Sequence, residues 1–407
     1  MNESKIKYGL PEEVVFCKKC VISNQKPSST VEFKNTTKKK KETIGFNADG
    51  ICNACLYTEY KENKINWKKR EQELIAVCDK YRSKDGRYDC LVPGSGGKDS
   101  VYTAHILKYK YGMNPLTVTW APHLYTDIGW KNMMNWVHVG GFDNILFTPN
   151  GCAHRMLTKL AFENLLHPFQ PFIIGQKNIA PRFALQYKIP LIFYGENNQA
   201  EYGNKHSIKT NDVPIMKEEF YTQETVELDK LFFGGISARQ LITEEKVSLN
   251  DLNPYLPVLR KDMAKIGAQV HYLGYYLKWD PQECYYYAAD HCGFQANTER
   301  TEGSYSKYSS IDDKTDPFHY YTTLVKFGIG RATYDAAQEI RTKKITREEG
   351  ITLVKKFDQE FPKKYFKEFL DYIDISEEKF HELIDAGRSP HLWKKTNGEW
   401  KLRHQIS

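Results

Sequence analysis

Residues 91–100, Leu91-Val92-Pro93-Gly94-Ser95-Gly96-Gly97-Lys98-Asp99-Ser100, pass from an apolar stretch through a glycine-rich turn into residues spaced as a helix. Glycines at 94, 96 and 97 let backbone N–H groups approach a ligand with no Cβ in the way, and a helix opening behind them adds the positive end of its dipole. An anion such as a phosphate belongs there. The common G-x-x-x-x-G-K-[ST] loop is excluded, because Asp99 stands where Ser or Thr must follow Gly97-Lys98. Ser95, Gly96, Gly97 and Ser100 are the donors expected at the phosphates. Lys98 supplies positive charge, and Asp99 caps the helix or contacts Mg²⁺. A side chain at Gly97 would enter phosphate space and disfavour a positive φ.

A second constellation lies upstream. Cys17-Lys18-Lys19-Cys20 and Cys52-Asn53-Ala54-Cys55 are two C-x-x-C knuckles about thirty residues apart. Two ligands from each of two tight turns suit a closed tetrahedral Zn²⁺ site with no open position, hence a structural one. A redox pair and an iron–sulfur cluster are the alternatives. Between the knuckles, residues 34–43 are lysine-rich and polar, an exposed excursion or simply a solvated loop.

The elements that must position these groups follow in order. Trp67, Leu74, Ile75 and Cys78 give residues 61–81 a helical period leading into a first strand at 88–92. Residues 115–120, 144–147 and 189–194 read as further short apolar strands, 130–139 as a helix, and 270–276 as a fifth strand. Strands alternating with helices mean a parallel sheet covered on both faces, with ligands at the carboxyl ends of the strands. Trp120 and His123 end the second strand. Glu196, just past the fourth, is placed to hold Mg²⁺ beside the phosphates or to serve only as a turn residue.

Beyond residue 281 helical patterns succeed one another at 281–290, 333–340, 346–357 (opened by a Thr346…Glu349 capping box) and 377–386. Residues 300–331 between them are polar and rich in turn formers. Asp312 and Asp313 are candidates for the hydroxyls or a cationic group of a polyhydroxylated anionic substrate, Lys326 for charge developing near a phosphate, and Arg331 for an anionic group of that substrate. A solvated connection is the alternative.

The 407 residues carry a net charge of +7, which suits an anionic nucleotide or a nucleic acid without choosing between them. Nine cysteines, an odd number, argue against a secreted disulfide framework. No apolar run reaches the ~18 residues of a membrane span and residues 1–10 lack a signal-peptide core, so a cytoplasmic location without membrane contact is expected.

The run Ser95-Gly96-Gly97-Lys98-Asp99-Ser100 resembles the S-G-G-x-D-S pyrophosphate loop of the ATP pyrophosphatases, which cleave ATP between the α and β phosphates. The resemblance implies an adenine nucleotide alpha-hydrolase-like fold, ATP and Mg²⁺ as cofactors beside Zn²⁺, and adenine bound near Trp120. Over nearly the whole chain, the Cys17-Lys18-Lys19-Cys20-Val21 knuckle, the loop, Lys326-Phe327-Gly328-Ile329-Gly330-Arg331-Ala332, Ile340-Arg341 and Ile345-Thr346-Arg347-Glu348-Glu349 resemble the N-acetyl sugar amidotransferases. That family makes acetamidino sugars for bacterial surface polysaccharide or flagellar glycan. The lysine-rich stretch between the knuckles is longer than its pattern.

The expected reaction is adenylylation of the N-acetyl carbonyl oxygen of a sugar, then displacement of AMP by ammonia. Asp99, Lys98, Lys326 and Arg331 are the residues assigned to it. Asn2 rather than Cys follows Met1 and no G-x-C-x-G elbow occurs, so a separate glutaminase subunit is the expected ammonia source. The main rival is a tRNA-modifying enzyme using the same loop. It lacks a recognition domain here, and its sulfur-transferring form would have only Cys152 as an active thiol, since Cys90 reads as buried in a strand. A non-catalytic zinc-ribbon scaffold is a third reading. The expected division is 1–65 for the cysteine module, 66–282 for the nucleotide domain and 283–407 for a helical substrate region.

Overall fold

The computed structural model describes residues 6–28, 31–34, 40–205 and 212–407; Asn2, Lys38 and Lys39 lie outside them. Its centre is a five-stranded parallel sheet of β1 (Cys90–Pro93), β2 (Pro115–Trp120), β3 (Asp143–Phe147), β4 (Leu191–Tyr194) and β5 (Gln269–Tyr272) in the order β3-β2-β1-β4-β5. The period-two alternation of strands decides what each face buries. Leu116, Leu91, Ile192 and Val270 stand in register across four strands. They are covered by Ile179, Ala180, Phe183 and Ala184 of α6 (Gln170–Tyr187). Cys90, Val92, Leu191 and Phe193 face the other way. There they meet Val101 and Ala104 of α3 (Lys98–His105), Met133 and Trp136 of α4 (Asp127–His138), and Leu74 and Cys78 of α2 (Trp67–Tyr81). Each fully buried Leu, Val or Phe contributes about 1.5–3 kcal/mol, so these two layers hold the sheet.

The four-cysteine cluster at the N-terminal end packs with Ala336 and Ala337 of α9 (Arg331–Arg341). The other helices of eight residues or more are α1 (Asn53–Asn63), α5 (Gly151–Leu165), α7 (Pro281–Cys292), α8 (Asp316–Phe327), α10 (Arg347–Phe357), α11 (Phe366–Ile373) and α12 (Glu377–Gly387). The C-terminal region is thus helical, ending in a hairpin of β6 (Trp393–Thr396) and β7 (Glu399–Leu402).

Three sequence expectations change. The single helix over 61–81 is two, because Asn66 caps α2 by accepting from the Lys69 N–H at 3.1 Å and so starts a new helix. The fifth strand stops at Tyr272, where Leu273–Tyr276 turns into a short helix. The polar stretch 300–331 is irregular only in its first half. Asp316–Phe327 is a helix that buries Phe318, Leu324 and Val325 and stops at Gly328, whose φ of +66° suits glycine.

Candidate functional site

The chain leaves β1 at Pro93, and the Gly94 N–H is tied to Val118 O of the neighbouring strand at 2.9 Å. Gly94 must be glycine because a Cβ there would lie 2.2 Å from the Cβ of Ser100. Gly96, with φ +78°, sits so close to α4 that a Cβ would approach Met133 Cα to 2.8 Å. Gly97 caps α3 with φ −71°, so the positive φ expected at 97 falls one residue earlier. Beside Gly97 a Cβ would meet only Ser95 Oγ within 4 Å, at 3.5 Å. The loop is packed on its inner side and open here. The N–H groups of Lys98, Asp99 and Ser100 precede the first bond of the helix, Val101 N–H to Gly97 O at 3.0 Å, and so stand at its positive end. The Ser100 hydroxyl turns back to Gly97 O at 2.9 Å.

Charge gathers in front of this turn. Lys98 pairs with Asp99 in the first turn of α3, and both line a cavity of about 220 Å³ with Tyr202, Asp280, Ser309, Arg331 and Asp335. Burial works against the Lys98 ammonium, but Asp99 and Glu196 outweigh it and raise its pKa above the ordinary lysine value. Burial, helped by Asp99, pushes the Glu196 carboxyl up to about 7. Two acids thus share the charge of one lysine beside the loop.

The C-terminal region reaches this loop through a strap over residues 311–315. Thr126 N–H donates to Asp312 O at 3.2 Å, and Lys314 N–H to Leu124 O at 2.9 Å. Gly129 allows it, since a Cβ there would lie 2.5 Å from Asp312 Cα. Ser95 Oγ donates to the Asp312 carboxylate at 3.0 Å. Asp313 instead turns inward, accepting from His123 N–H at 2.7 Å, His123 Nδ1 at 2.8 Å and Thr315 N–H at 2.9 Å. Burial opposes its ionisation, yet His123 and these N–H donors hold its carboxyl below the usual range. His123 is itself enclosed, stacked against His154 and Phe172. Trp120 is core as well: its indole fills the space left by the missing side chain of Gly175. Any nucleotide contact at that strand end falls to backbone groups.

Lys326 and Arg331 part company. Lys326 is 1% exposed, and its Nζ donates to Glu32 at 2.6 Å and Leu165 O at 2.7 Å in a second cleft of about 1330 Å³. Arg331 opens α9, pairs with Asp335 at 3.2 Å, donates to the Tyr320 hydroxyl, and borders both spaces. Lys98, Asp99 and Arg331 therefore meet at one cavity, Ser95 and Asp312 touch beside it, and Lys326 lies in the adjoining cleft. Tyr202, Asp280 and Asp335 were not foreseen. Asp280 caps α7, accepting from Gln282 N–H at 2.9 Å. Tyr202 follows Glu196 out of β4, where the rule that ligands gather at strand ends would have found it.

At the other constellation the four sulfurs of Cys17, Cys20, Cys52 and Cys55 are buried and lie within 4.8 Å of one another. Cys17–Cys55 is 3.9 Å and Cys20–Cys52 is 3.7 Å. A tetrahedron of ~2.3 Å Zn–S bonds has edges of about 3.8 Å, so the donor set fits zinc. The Cys52 N–H points at Cys17 Sγ from 3.3 Å and the Lys19 N–H from 3.4 Å, as thiolate acceptors require. Arg341, at the far end of the helix that begins with Arg331, is half-buried, and the Cys20, Cys55 and Cys52 sulfurs help to raise its pKa against the opposing effect of burial.

Among the described residues no helix is long and apolar enough to cross a membrane. Residues 302–407 match the family model described as LPS biosynthesis protein WbpG-like, C-terminal domain. Over 83 residues the chain is 36% identical to an uncharacterized protein, MJ1599, of Methanocaldococcus jannaschii, a match spanning 20% of this chain and 29% of that one. The structure of NMN synthetase from Francisella tularensis overlaps 32% of this chain and 54% of its own at 14% identity, with a TM-score of 0.24, too slight a superposition to bear on fold or chemistry. The family model covers the C-terminal quarter of the chain, the part that carries Asp312, Lys326 and Arg331, and the likeness there is to a domain of a lipopolysaccharide biosynthesis protein.

Proposed function

We propose that the chain is an ATP-dependent, AMP-forming amidotransferase that converts the N-acetyl group of a sugar into an acetamidino group in surface polysaccharide biosynthesis. The observation that carries this reading is the Ser95–Asp312 contact. It sets an open phosphate loop against a segment matching a lipopolysaccharide biosynthesis domain. ATP would lie with its phosphates on the N–H groups of Gly97 to Ser100 and on Lys98, while Asp99 and Glu196 hold Mg²⁺, which neutralises phosphate charge. The carbonyl oxygen of the N-acetyl group attacks the α phosphorus, and pyrophosphate leaves against the loop. Ammonia then adds to the activated carbon, loses a proton, and AMP departs with the former carbonyl oxygen. The chain's part is positioning and charge stabilisation, with Arg331 facing the same cavity as Lys98. Zinc at the four cysteines is structural, and a separate glutaminase supplies the ammonia in the cytoplasm. The division at residues 65 and 282 assigns the metal, ATP and the sugar to successive segments.

The test is incubation with ATP, ammonium and N-acetyl sugars. AMP, pyrophosphate and a product carrying one added nitrogen in place of oxygen are expected. ADP and phosphate as products would refute the assignment.

A further inference from the structure

A column of rings runs from the larger cleft to the strap. His167 stacks on His319 with 5.1 Å between ring centres, and His319 stacks on Phe169 at 5.0 Å. Phe169 lies 4.8 Å from His123, which stacks in turn on His154 at 4.8 Å and on Phe172 at 5.1 Å. His167 and His319 line the cleft, whereas the His123 side chain is 0% exposed and His154 is 3% exposed. Polar groups buried this deeply nearly always have a hydrogen-bond partner. The Nδ1 atoms do: His123 meets Asp313 at 2.8 Å, and His154 meets the Tyr255 hydroxyl at 2.7 Å. The Nε2 atoms of both rings, and Nδ1 of His319, have none among the described residues. Two stacked imidazoles with an open nitrogen each are the makings of a small polar site.

These nitrogens restrict what the site can take. The Asp313 carboxylate accepts from Nδ1 of His123, so that nitrogen carries the hydrogen, and in the neutral ring Nε2 keeps its lone pair. The occupant must therefore donate an N–H or O–H. It must be small, because Phe169 and Phe172 pack against the same imidazole. It must also be uncharged. Burial holds His154 and His319 well below the ordinary imidazole value and His167 at about 4, and the same surroundings disfavour any cation brought among these rings. Ammonia in its neutral form and water meet all three conditions, and only ammonia is consumed in the proposed reaction. The place suits it, since Asp313 adjoins Asp312, whose carboxylate lies 3.0 Å from Ser95 of the phosphate loop.

We infer that His123 and His154 form the seat of the attacking ammonia, which is held in its neutral form with an N–H donated to His123 Nε2 while Asp313 orients that ring from the strap. A site for one small neutral hydrogen-bonding molecule stands on the rings alone; its identity as ammonia rests on the proposed reaction. Asp313 then has two duties, because the carboxylate that fixes the strap also decides which nitrogen of His123 keeps its lone pair.

The experiment is NMR of the full chain labelled with ¹³C and ¹⁵N at histidine, saturated with α,β-methylene ATP and titrated with ammonium chloride at mildly alkaline pH, where part of the ammonium is neutral. Tetramethylammonium chloride at the same ionic strength and pH is the control, and His123→Gln and His154→Gln spectra assign the two resonances. Both signals shift saturably with ammonium and not with the control. His154→Phe, which keeps the stacked ring and removes its nitrogens, weakens the response at His123 by about threefold to tenfold, the scale of one hydrogen bond. His154→Ala, which opens space, lets methylammonium produce a shift that it does not produce in the wild type. Binding of the ATP analogue reports whether each variant is folded, and where one is not, the wild-type titration still decides. If the two signals respond to ammonium no more than to the control, the seat holds water only and the inference is overturned. It is overturned equally if both folded variants respond to ammonium and methylammonium as the wild type does. Saturable shifts in a protein that releases no AMP with ammonium and N-acetyl sugars count instead against the proposed reaction.

Discussion

Ser95 donates its hydroxyl hydrogen to Asp312 across 3.0 Å, joining the glycine loop to a strap 217 residues later in the chain. The serine is one of the groups offered to a phosphate, and the carboxylate now holding it is an anion at the same place. In the proposed reaction an incoming ATP meets a like charge and must turn the hydroxyl away from it. Burial, with Asp313 next to it, raises the Asp312 pKa, which moderates the repulsion. Asp312→Asn should tighten binding of an ATP analogue by about 3–10-fold, the scale of one screened charge at close range. The gain should grow with pH as the wild-type carboxyl ionises. Equilibrium titration at two pH values checks this, and weaker binding in the variant would show that the carboxylate positions Ser95 for the nucleotide.

Gly96 and Gly97 are adjacent and carry different burdens. Gly96→Ala forces a Cβ onto φ +78° and toward Met133 Cα, so it should cost about 2 kcal/mol or more of stability and lower Tm. Gly97→Ala, at φ −71° with open space beside it, should leave Tm nearly unchanged and weaken ATP binding. Thermal unfolding and nucleotide titration on the two variants separate these effects. Equal losses of Tm in both would contradict it.

The sheet was legible because its strands are short, continuous apolar runs such as Leu116 to Trp120 and Leu191 to Phe193, and periodicity sees these directly. The cysteine cluster was legible for a different reason: two C-x-x-C turns need no tertiary knowledge to be paired. Lys326 was not. Its partner Glu32 is 294 residues away, and nothing local distinguishes a lysine buried against a carboxylate from one facing a ligand. Asp312 and Asp313 are neighbours in sequence, yet one reaches Ser95 and the other caps His123. That choice is made by the strap's pairing with residues 124–126, a long-range contact that no local pattern encodes. The helix at Asp316–Phe327 was hidden by the polar residues before it, though Pro317 at its first turn was the available signal.

Glu32 gives the fold an acid limit. Burial opposes its charge, but Lys326 and Lys41 overcome that and hold its pKa at about 2, against 4.5 for a free glutamate. A folded-state pKa below the unfolded one means that the unfolded chain takes up the proton first. The stability this group contributes is complete above about pH 4.5 and disappears as pH falls toward 2, about 3 kcal/mol across the window. Glu32→Gln should lose stability of that order at neutral pH and show a shallower decline below pH 4.5 than the wild type. Urea unfolding of both proteins between pH 3 and 7 supplies the difference curve. Parallel curves would mean that the ion pair contributes nothing net.

Metal at the four cysteines should govern the second substrate more than the first. α9 carries Ala336 and Ala337 into the core around the cysteines, ends near them at Arg341, and begins with Arg331 at the junction of the two cavities. The phosphate loop, by contrast, is held by β1, β2 and α4. Elemental analysis should find one zinc per chain. Cys17→Ser or Cys52→Ser should abolish it, because three thiolates leave a tetrahedral site open and the buried sulfurs without their cation. The ribbon should then become protease-sensitive between residues 15 and 60 while the ATP analogue still binds within about threefold of the wild type, a difference below about 0.7 kcal/mol. Binding of the N-acetyl sugar substrate should fall by tenfold or more, roughly 1.4 kcal/mol. Limited proteolysis with mass spectrometry and the two titrations read this directly. Stoichiometric iron in place of zinc, or a Cys17→Ser protein with an intact ribbon and unchanged sugar binding, would remove the metal from the account of the substrate site.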